Sequence, residues 1–195
     1  TSYVKPGITT GKIDQICYEF INDNGGYSAP LYYRGFPKSC CTSVNHVVCH
    51  GIPTEKYLKE GDIINIDVTS IVNGWHGDTS RMFLAGEVSI KSKNLVATTY
   101  NSMMKGIALI KEGINLGDIG EAIQSFAQKN GFSVVRDFCG HGIGRTFHDS
   151  PNVLHYGKKG EGMKLKTGMI FTVEPMINEG NYDTKLLKDG WTAVT

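Results

Sequence analysis

Several hallmarks of common protein classes are missing from this chain of 195 residues. Twenty basic residues nearly cancel nineteen acidic ones, and no basic stripe occurs, so charge gives no support for binding to nucleic acid or to a membrane surface. No apolar run approaches the roughly eighteen residues of a membrane-spanning helix. No signal-peptide pattern opens the sequence. These absences favour a cytoplasmic globular protein that binds neither nucleic acid nor membrane.

The five cysteines lack the pairing that a disulfide framework or a zinc ribbon requires. Their number is odd, Cys40 and Cys41 are adjacent, and no two are spaced as CxxC. We therefore expect five reduced thiols. With 40% hydrophobic residues the chain can bury a core, and we expect a single domain over residues 1–195.

The clearest local signal is a hairpin over residues 63–83. Asn73-Gly74 between two β-rich runs predicts a two-residue turn. With that turn, Asp78 pairs with Thr69, which shares a strand face with Asp67. The two aspartates are then diagonal neighbours about 7–8 Å apart at the backbone. The opposite face should pack on the core and carries these residues: Ile64, Ile66, Val68 and Val72.

Two carboxylates on one sheet face repel each other unless a positive charge lies between them, and this pattern predicts a divalent cation. An alternative for Asp78 is a solvated turn residue beside Gly77. Asp67 interrupts an apolar strand, where an unpaired charge is costly, and Glu174 ends another apolar run. His141 lies between two glycines, which suits close backbone approach. Carboxylates with one imidazole suit hard or borderline divalent ions.

An internal repeat links two of these acids. Gly7, Gly11 and Ile13 recur as Gly113, Gly117 and Ile119, and a later match aligns Asp67 with Glu174. The repeat predicts two helix-plus-strand halves, at about 7–83 and 113–195, related by a pseudo-twofold axis. Helices are predicted at residues 9–25, 92–110 and 116–129, and strands at 44–49, 133–139 and 168–175, besides the hairpin.

Five segments together are similar to type I methionine aminopeptidases of the creatinase or pita-bread superfamily. They are Ile66-Asp67-Val68-Thr69, the run 77–83, the run 140–144, Phe147-His148, and Phe171-Thr172-Val173-Glu174-Pro175-Met176. The resemblance covers nearly the whole chain. It implies an α/β (α+β) pita-bread fold with a central, mostly antiparallel sheet.

The resemblance also implies a dinuclear metal site and an enzyme that removes the N-terminal methionine when the second residue is small. Asp67 would chelate one ion, Asp78 would bridge both, and His141 and Glu174 would ligate the other. Two such cations, of Co, Mn, Fe or Zn, would lower the pKa of a bridging water to give hydroxide. The family's fifth ligand, a glutamate beyond the segment that matches Asp189-Gly190-Trp191, has no counterpart here. The helix that usually precedes Pro6-Gly7 is also missing, so a chain cut at both ends is expected.

Further roles follow from the same resemblance. Glu174 would be the general base, His148 would stabilise the oxyanion, and His50 would contact the residue after methionine or pass a proton to the leaving amine. The methionine pocket falls on Tyr33, Phe36, Cys41, Phe147 and Trp191, together with His50 and His148 at its edge. For His46, His76 and His155 we expect loop histidines without a role.

Two rival functions remain open at this stage. One is a proline-specific peptidase of the same superfamily, and the other is a catalytically inactive pita-bread protein that acts as a binding module. The resemblance further implies a cytoplasmic monomer that acts on nascent polypeptides and can associate with the ribosome.

Overall fold

The computed structural model describes residues 2–195, which divide into two compact units. One unit comprises the residues up to Ser92 together with Lys185–Val194, and the other comprises Lys93–Thr184. The helices are α1 (Thr10–Asp23), α2 (Ile90–Ile107) and α3 (Leu116–Lys129), with a short 3-10 helix at Tyr33–Gly35. None of the helices in residues 2–195 combines the length and apolar character needed to cross a bilayer.

All the strand pairs described below are antiparallel. The strands are β1 (Tyr27–Ser28), β2 (Cys41–Val44), β3 (Val47–Cys49), β4 (Ile63–Val72), β5 (Trp75–Leu84), β6 (Ser133–Val134), β7 (Gly140–Gly142), β8 (Asp149–Val153), β9 (Ile177–Asn178), β10 (Lys185–Leu186) and β11 (Ala193–Val194). In the first unit β5, β4, β2 and β1 form one sheet, and β10, β11 and β3 form another. In the second unit β6 pairs with β9 and β7 with β8.

Strand β4 is the centre of the first unit's larger sheet. β5 pairs with it along its whole length, while β2 and β1 pair with successive parts of its other edge. The turn residues Asn73 and Gly74 have φ angles of 51° and 77°, as the two-residue hairpin requires. The predicted register is confirmed, because Thr69 pairs with Asp78.

The apolar face of β4 packs against α1, which begins where the sequence predicts. The Thr9 side chain caps α1 by accepting from the Lys12 amide at 3.0 Å. The buried cluster in this unit joins α1, β2 and β4: Ile13, Val44, Leu58, Ile64, Ile66 and Ala85, with Val68 at its margin. Val72 was predicted to belong to this core, but it is 47% exposed. It is the last residue of β4, beside the turn, and lies beyond the cluster.

Helix α3 supplies most of the second unit's core. A capping box starts the helix, because Asn115 and Asp118 satisfy each other's backbone amides. The buried cluster joins α3 to β8: Leu116, Ile119, Ile123, Val153 and Leu165. Gly120 lies against the chain that follows β8, where a Cβ would overlap the carbonyl oxygens of Leu154 and Tyr156. This close approach needs glycine at position 120.

Corresponding backbone hydrogen bonds occur in both units at the spacing of the sequence repeat. The Gly7 amide donates to Leu58 at 2.8 Å, and the Gly113 amide donates to Leu165 at 2.9 Å. In each unit the leucine amide also donates to the carbonyl of the residue that follows the glycine, at 2.8 Å in both units. Gly7 and Gly113 both have a φ of 88°, which explains the glycine at each position.

Three of the predicted strands differ from the structure. Residues 44–49 form two strands, β2 and β3, because Asn45 turns the chain with a φ of 52°. Of residues 133–139 only Ser133–Val134 is a strand. Residues 168–175 contain only an isolated bridge between Phe171 and Gly142. In this last segment the amide of Glu174 bonds to a histidine side chain, and Pro175 has no amide hydrogen, so no ladder continues.

Candidate metal centre and substrate pocket

The hairpin of β4 and β5 carries the two aspartates of the first unit on one face. Asp67 lies in β4 and Asp78 in β5, diagonal to each other across the paired strands. Both residues are half-buried, while Ile64 and Ile66 of β4 are buried on the opposite face. The sheet therefore brings two carboxylates together with their oxygens on a partly accessible surface, as an oxygen-ligated cation requires.

Cys41 borders these carboxylates from the other edge of β4. It pairs with Asp67 in the ladder and is 8% exposed. Burial raises the pKa of the Cys41 thiol well above its ordinary value, and the charge of Asp67 raises it further. Cys41 therefore stays a neutral thiol at neutral pH. It offers an apolar, polarisable wall beside the acids rather than a third negative charge.

Three of the predicted pocket and catalytic residues lie together in the first unit. Phe36 is 2% exposed and meets the edge of Trp191, with ring centroids 5.2 Å apart. Trp191 also meets His50 edge-on at 6.4 Å, because β11 pairs with β3 just before His50. Burial lowers the pKa of His50, so its imidazole is neutral at neutral pH. Tyr33 starts the 3-10 helix and is half-buried, with the Arg34 guanidinium 5.4 Å from its ring centre.

His141 and Glu174 form the second unit's acid–imidazole pair. His141 is 7% exposed and lies on β7, and its Nε2 is 3.5 Å from Glu174 Oε1. Its Nδ1 lies 3.0 Å from the Gly142 carbonyl oxygen. A carbonyl can only accept, so Nδ1 carries the proton and Nε2 has the lone pair that could ligate a metal ion.

The geometry of this pair suits one metal ion. Two ligands that each lie about 2.1 Å from a tetrahedral ion are about 3.4 Å from each other. The observed separation of 3.5 Å between Nε2 and Oε1 is close to that value. Glycines flank His141, as the sequence indicated. A Cβ at position 140 would overlap the carbonyl oxygen of Thr172, and one at position 142 would overlap that of Ser150. The donor atoms present therefore fit a divalent cation.

Thr172 links His141 to Glu174 and has no role in the sequence-based prediction. Its Oγ1 accepts from the His141 amide at 2.9 Å and donates to Glu174 Oε1. Its amide donates to the His141 carbonyl at 2.9 Å. One side chain thus fixes both His141 and the Glu174 carboxylate. The alternation Phe-Thr-Val-Glu, which places Thr172 and Glu174 on one face, was the available signal.

Phe147 and His148 lie beside His141. The rings of Phe147 and His148 stack with centroids 4.0 Å apart, and the His148 ring is 4.3 Å from that of His141. The structure therefore brings His141, Phe147, His148 and Glu174 together within the second unit. The other predicted site residues belong to the first unit.

His155 is a functional candidate that the sequence-based interpretation missed. We expected a loop histidine without a role, but it is 2% exposed and its Nε2 accepts the Glu174 amide at 3.0 Å. Burial lowers its pKa to about 4, so the ring is neutral. A contact across nineteen positions of sequence decides the environment of this ring, and no local pattern indicates such a contact. For His46 and His76 the absence of a role stays a prediction.

A family model for metallopeptidase family M24 matches residues 1–194. The chain belongs to this family. A methionine aminopeptidase from Rickettsia prowazekii (strain Madrid E) is 61% identical over 196 residues, which cover 100% of the chain and 76% of the relative. The crystal structure of methionine aminopeptidase from R. prowazekii superimposes with a TM-score of 0.99 and covers 100% of the chain and 79% of that structure. An Xaa-Pro dipeptidase from Bacillus anthracis, 20% identical with a TM-score of 0.73, covers 99% of the chain and 50% of that structure and shares the fold alone.

Membership of family M24 confirms the predicted mixed α/β pita-bread fold and the predicted metallopeptidase class. A metallopeptidase works with divalent metal ions, so the predicted cofactor class is confirmed as well. The similarity to methionine aminopeptidases is confirmed by the high identity over the whole chain.

Proposed function

We propose that this M24 metallopeptidase is a methionine aminopeptidase that removes the N-terminal methionine of newly made proteins when the second residue is small. The observation that carries the proposal is the 61% identity over the entire chain to a protein named methionine aminopeptidase. The proline-specific alternative is supported only by fold-level likeness at 20% identity.

The proposed metal ligands are four residues: Asp67, Asp78, His141 and Glu174. Asp67 and Asp78 would hold one divalent ion, with Asp78 shared with a second, and His141 and Glu174 would hold that second ion. The diagonal carboxylates on β4 and β5 support the first half of this assignment. The 3.5 Å separation of His141 Nε2 and Glu174 Oε1 supports the second half.

Divalent ions held there would lower the pKa of a bound water molecule and polarise the scissile carbonyl. Glu174 takes the proton of that water and later delivers it to the leaving amine. His148 donates a hydrogen bond to the carbonyl oxygen as negative charge develops there. His50, buried and neutral, contacts the backbone of the residue after methionine, or relays that proton to the departing nitrogen. The free α-amine of the substrate binds at the same site, which restricts cleavage to the chain end.

The methionine side chain is proposed to bind among aromatic rings and one thiol. The residues are Tyr33, Phe36, Cys41, Phe147 and Trp191. A thioether is long, unbranched and polarisable, and aromatic edges and a neutral thiol suit it. The edge-to-face contact of Phe36 and Trp191, and the raised pKa that keeps Cys41 uncharged, support this assignment.

Further parts of the proposal concern the setting of the enzyme. Residues 1–195 act as one pita-bread domain with repeats at about 7–83 and 113–195. The protein works in the cytoplasm as a monomer, associates with the ribosome, and contacts neither nucleic acid nor membrane directly. The near-equal counts of basic and acidic residues support the last point.

The test is peptide cleavage by the purified 195-residue chain. The metal-free protein is reloaded separately with Mn²⁺, Co²⁺, Fe²⁺ and Zn²⁺ and offered Met-Ala-Ser, Met-Leu-Ser and Ala-Pro-Ser. We expect release of methionine from Met-Ala-Ser only, in the presence of metal. Asp78→Asn should abolish it, whereas Asp23→Asn, an exposed change on α1, should not. Preferential cleavage of Ala-Pro-Ser would favour a proline-specific peptidase. Absence of both metal binding and cleavage would favour the inactive binding protein.

A further inference from the structure

We propose that His155 is a positioning residue, which fixes the backbone of Glu174 so that its carboxylate is held beside His141. The inference rests on the proposed function only for the role of Glu174 as metal ligand and general base. It adds a residue outside the predicted catalytic and ligand set.

The contact itself defines the state of the His155 ring. The amide of Glu174 lies 3.0 Å from His155 Nε2. A backbone N–H can only donate, so Nε2 must accept and the ring proton lies on Nδ1. The neutral ring thus replaces a carbonyl as the acceptor for this amide.

The amide of Glu174 needs such an acceptor because the strand pairing has ended. Thr172 still donates to the backbone carbonyl of His141, at 2.9 Å. Two residues later, at Glu174, the chain is not part of a strand, and Pro175 contributes no donor. His155 therefore fixes the main chain at Glu174 by accepting its amide.

The carboxylate of Glu174 is held at its other end by Thr172. Thr172 Oγ1 donates to Oε1, and Oε1 lies 3.5 Å from His141 Nε2. Restraints thus act on both the backbone and the side chain of Glu174. Removing the backbone restraint frees the residue to rotate about the Thr172 contact. A displacement of about 1 Å at a catalytic group can lower the rate by about 100-fold.

His155 can act as a restraint because its own segment is rigid. The carbonyl oxygens of Leu154 and Tyr156 lie so close to Gly120 of α3 that no Cβ would fit between them. Both neighbours of His155 are therefore locked against a helix, and the ring is 2% exposed.

Replacing an ordinary buried histidine that only accepts a hydrogen bond from an amide would also lower stability. A structural role and a positioning role predict different effects on metal binding and on turnover. A structural role predicts a loss of stability alone, whereas a positioning role predicts weaker metal binding and slower turnover beyond what the lost stability explains.

The experiment compares three variants of the 195-residue chain: His155→Leu, His155→Gln and Val153→Ala. Leucine fills the space without an acceptor, while glutamine Oε1 reaches the position of Nε2 and can accept. Val153→Ala is the matched control, because it loses buried packing on the same segment and keeps the acceptor. Each is measured for urea unfolding, for Mn²⁺ affinity of the metal-free protein by calorimetry, and for kcat and KM on Met-Ala-Ser.

For His155→Leu we expect Mn²⁺ affinity and kcat to fall by about 10- to 100-fold each, with KM changed by less than about threefold. His155→Gln should restore most of both, and Val153→Ala should lose stability while keeping metal affinity and kcat. If His155→Leu and Val153→Ala behave alike, the positioning role is refuted. If the wild-type chain binds Mn²⁺ but cleaves no Met-Ala-Ser, the proposed function fails, and the metal affinities still decide the role of His155.

A measurement on the wild-type protein covers the case in which His155→Leu does not fold. With ¹⁵N labelling, an N–H···N hydrogen bond gives a scalar coupling between the Glu174 amide nitrogen and His155 Nε2. We expect that coupling, together with slow exchange of the Glu174 amide proton. Fast exchange and no coupling would overturn the inference.

Discussion

Replacing Asp14 tests how the first unit holds the chain that leads into the pocket. Asp14 is a carboxylate of α1 that is 9% exposed. Its Oδ1 accepts from the Ser39 amide at 2.8 Å, the Ser39 hydroxyl at 2.6 Å and the Cys40 amide at 3.1 Å. The next residue, Cys41, begins β2 and lines the proposed pocket. We expect Asp14→Ala to leave two backbone amides buried without an acceptor.

The magnitude follows from those two amides. Each buried donor that loses its acceptor costs about 1–3 kcal/mol, so Asp14→Ala should lower the free energy of unfolding by about 4 kcal/mol. The Ser39 hydroxyl keeps a second acceptor, the Asp14 carbonyl oxygen, at 3.1 Å. The ion pair with Lys38 spans 4.0 Å and is partly exposed, so its loss adds less than about 1 kcal/mol. Asp14→Asn keeps an acceptor oxygen and loses only the charge, which should cost about 1 kcal/mol.

Urea unfolding of wild type, Asp14→Ala and Asp14→Asn measures these differences. Glu19→Ala, an exposed change on the same helix, is the matched control and should stay within about 0.5 kcal/mol of wild type. Thermal melts should show a decrease in Tm of about 8–16 °C for Asp14→Ala, at about 2–4 °C per kcal/mol. The reasoning fails if alanine and asparagine cost the same, because acceptor loss would then not be the cause.

Three further predictions concern His155, the packing of α3 and the pocket. Burial depresses the pKa of His155 from 6.5 to about 4, so its contribution to stability is complete above pH 6.5. This stability of about 3 kcal/mol is lost as the pH falls from 6.5 toward 4, and urea unfolding across that range should show the loss. In His155→Gln this pH dependence should be absent. Gly120→Ala should destabilise the protein by about 2 kcal/mol although alanine has the better helix propensity, because the added methyl group overlaps backbone atoms. In Gly106→Ala the methyl group meets only side chains, so the loss of stability should be smaller. Trp191→Ala removes the edge contact with Phe36 and should raise KM for Met-Ala-Ser by about 3- to 10-fold in steady-state assays.

The hairpin was predictable because its determinants are local. Asn73 and Gly74 tolerate positive φ angles, and once they form the turn the pairing of every residue in β4 and β5 follows. Helix α3 was predictable for a similar reason, since Asn115 and Asp118 mark its start and Asn130 follows its end. Both elements satisfy their backbone groups within a short stretch of sequence.

His155 and the segment before Pro175 were not predictable in the same way. The apolar alternation of residues 168–175 indicates a strand, but a strand also needs a partner edge, and the pattern does not reveal whether one exists. The role of His155 depends on a contact with Glu174 that no local rule encodes. An indirect signal was present in Gly117 and Gly120, whose spacing on one face of α3 indicates close approach of another segment.

The two acids that the repeat aligns, Asp67 and Glu174, are held by different means. Asp67 lies within a ten-residue strand that is paired on both edges, so the ladder itself fixes its backbone. Glu174 lies beyond an isolated bridge, and the side chains of Thr172 and His155 bond to its carboxylate and its amide. A ladder tolerates the loss of any one neighbouring side chain, because its bonds join backbone groups. Single substitutions around Glu174 should therefore impair metal binding more than comparable substitutions around Asp67.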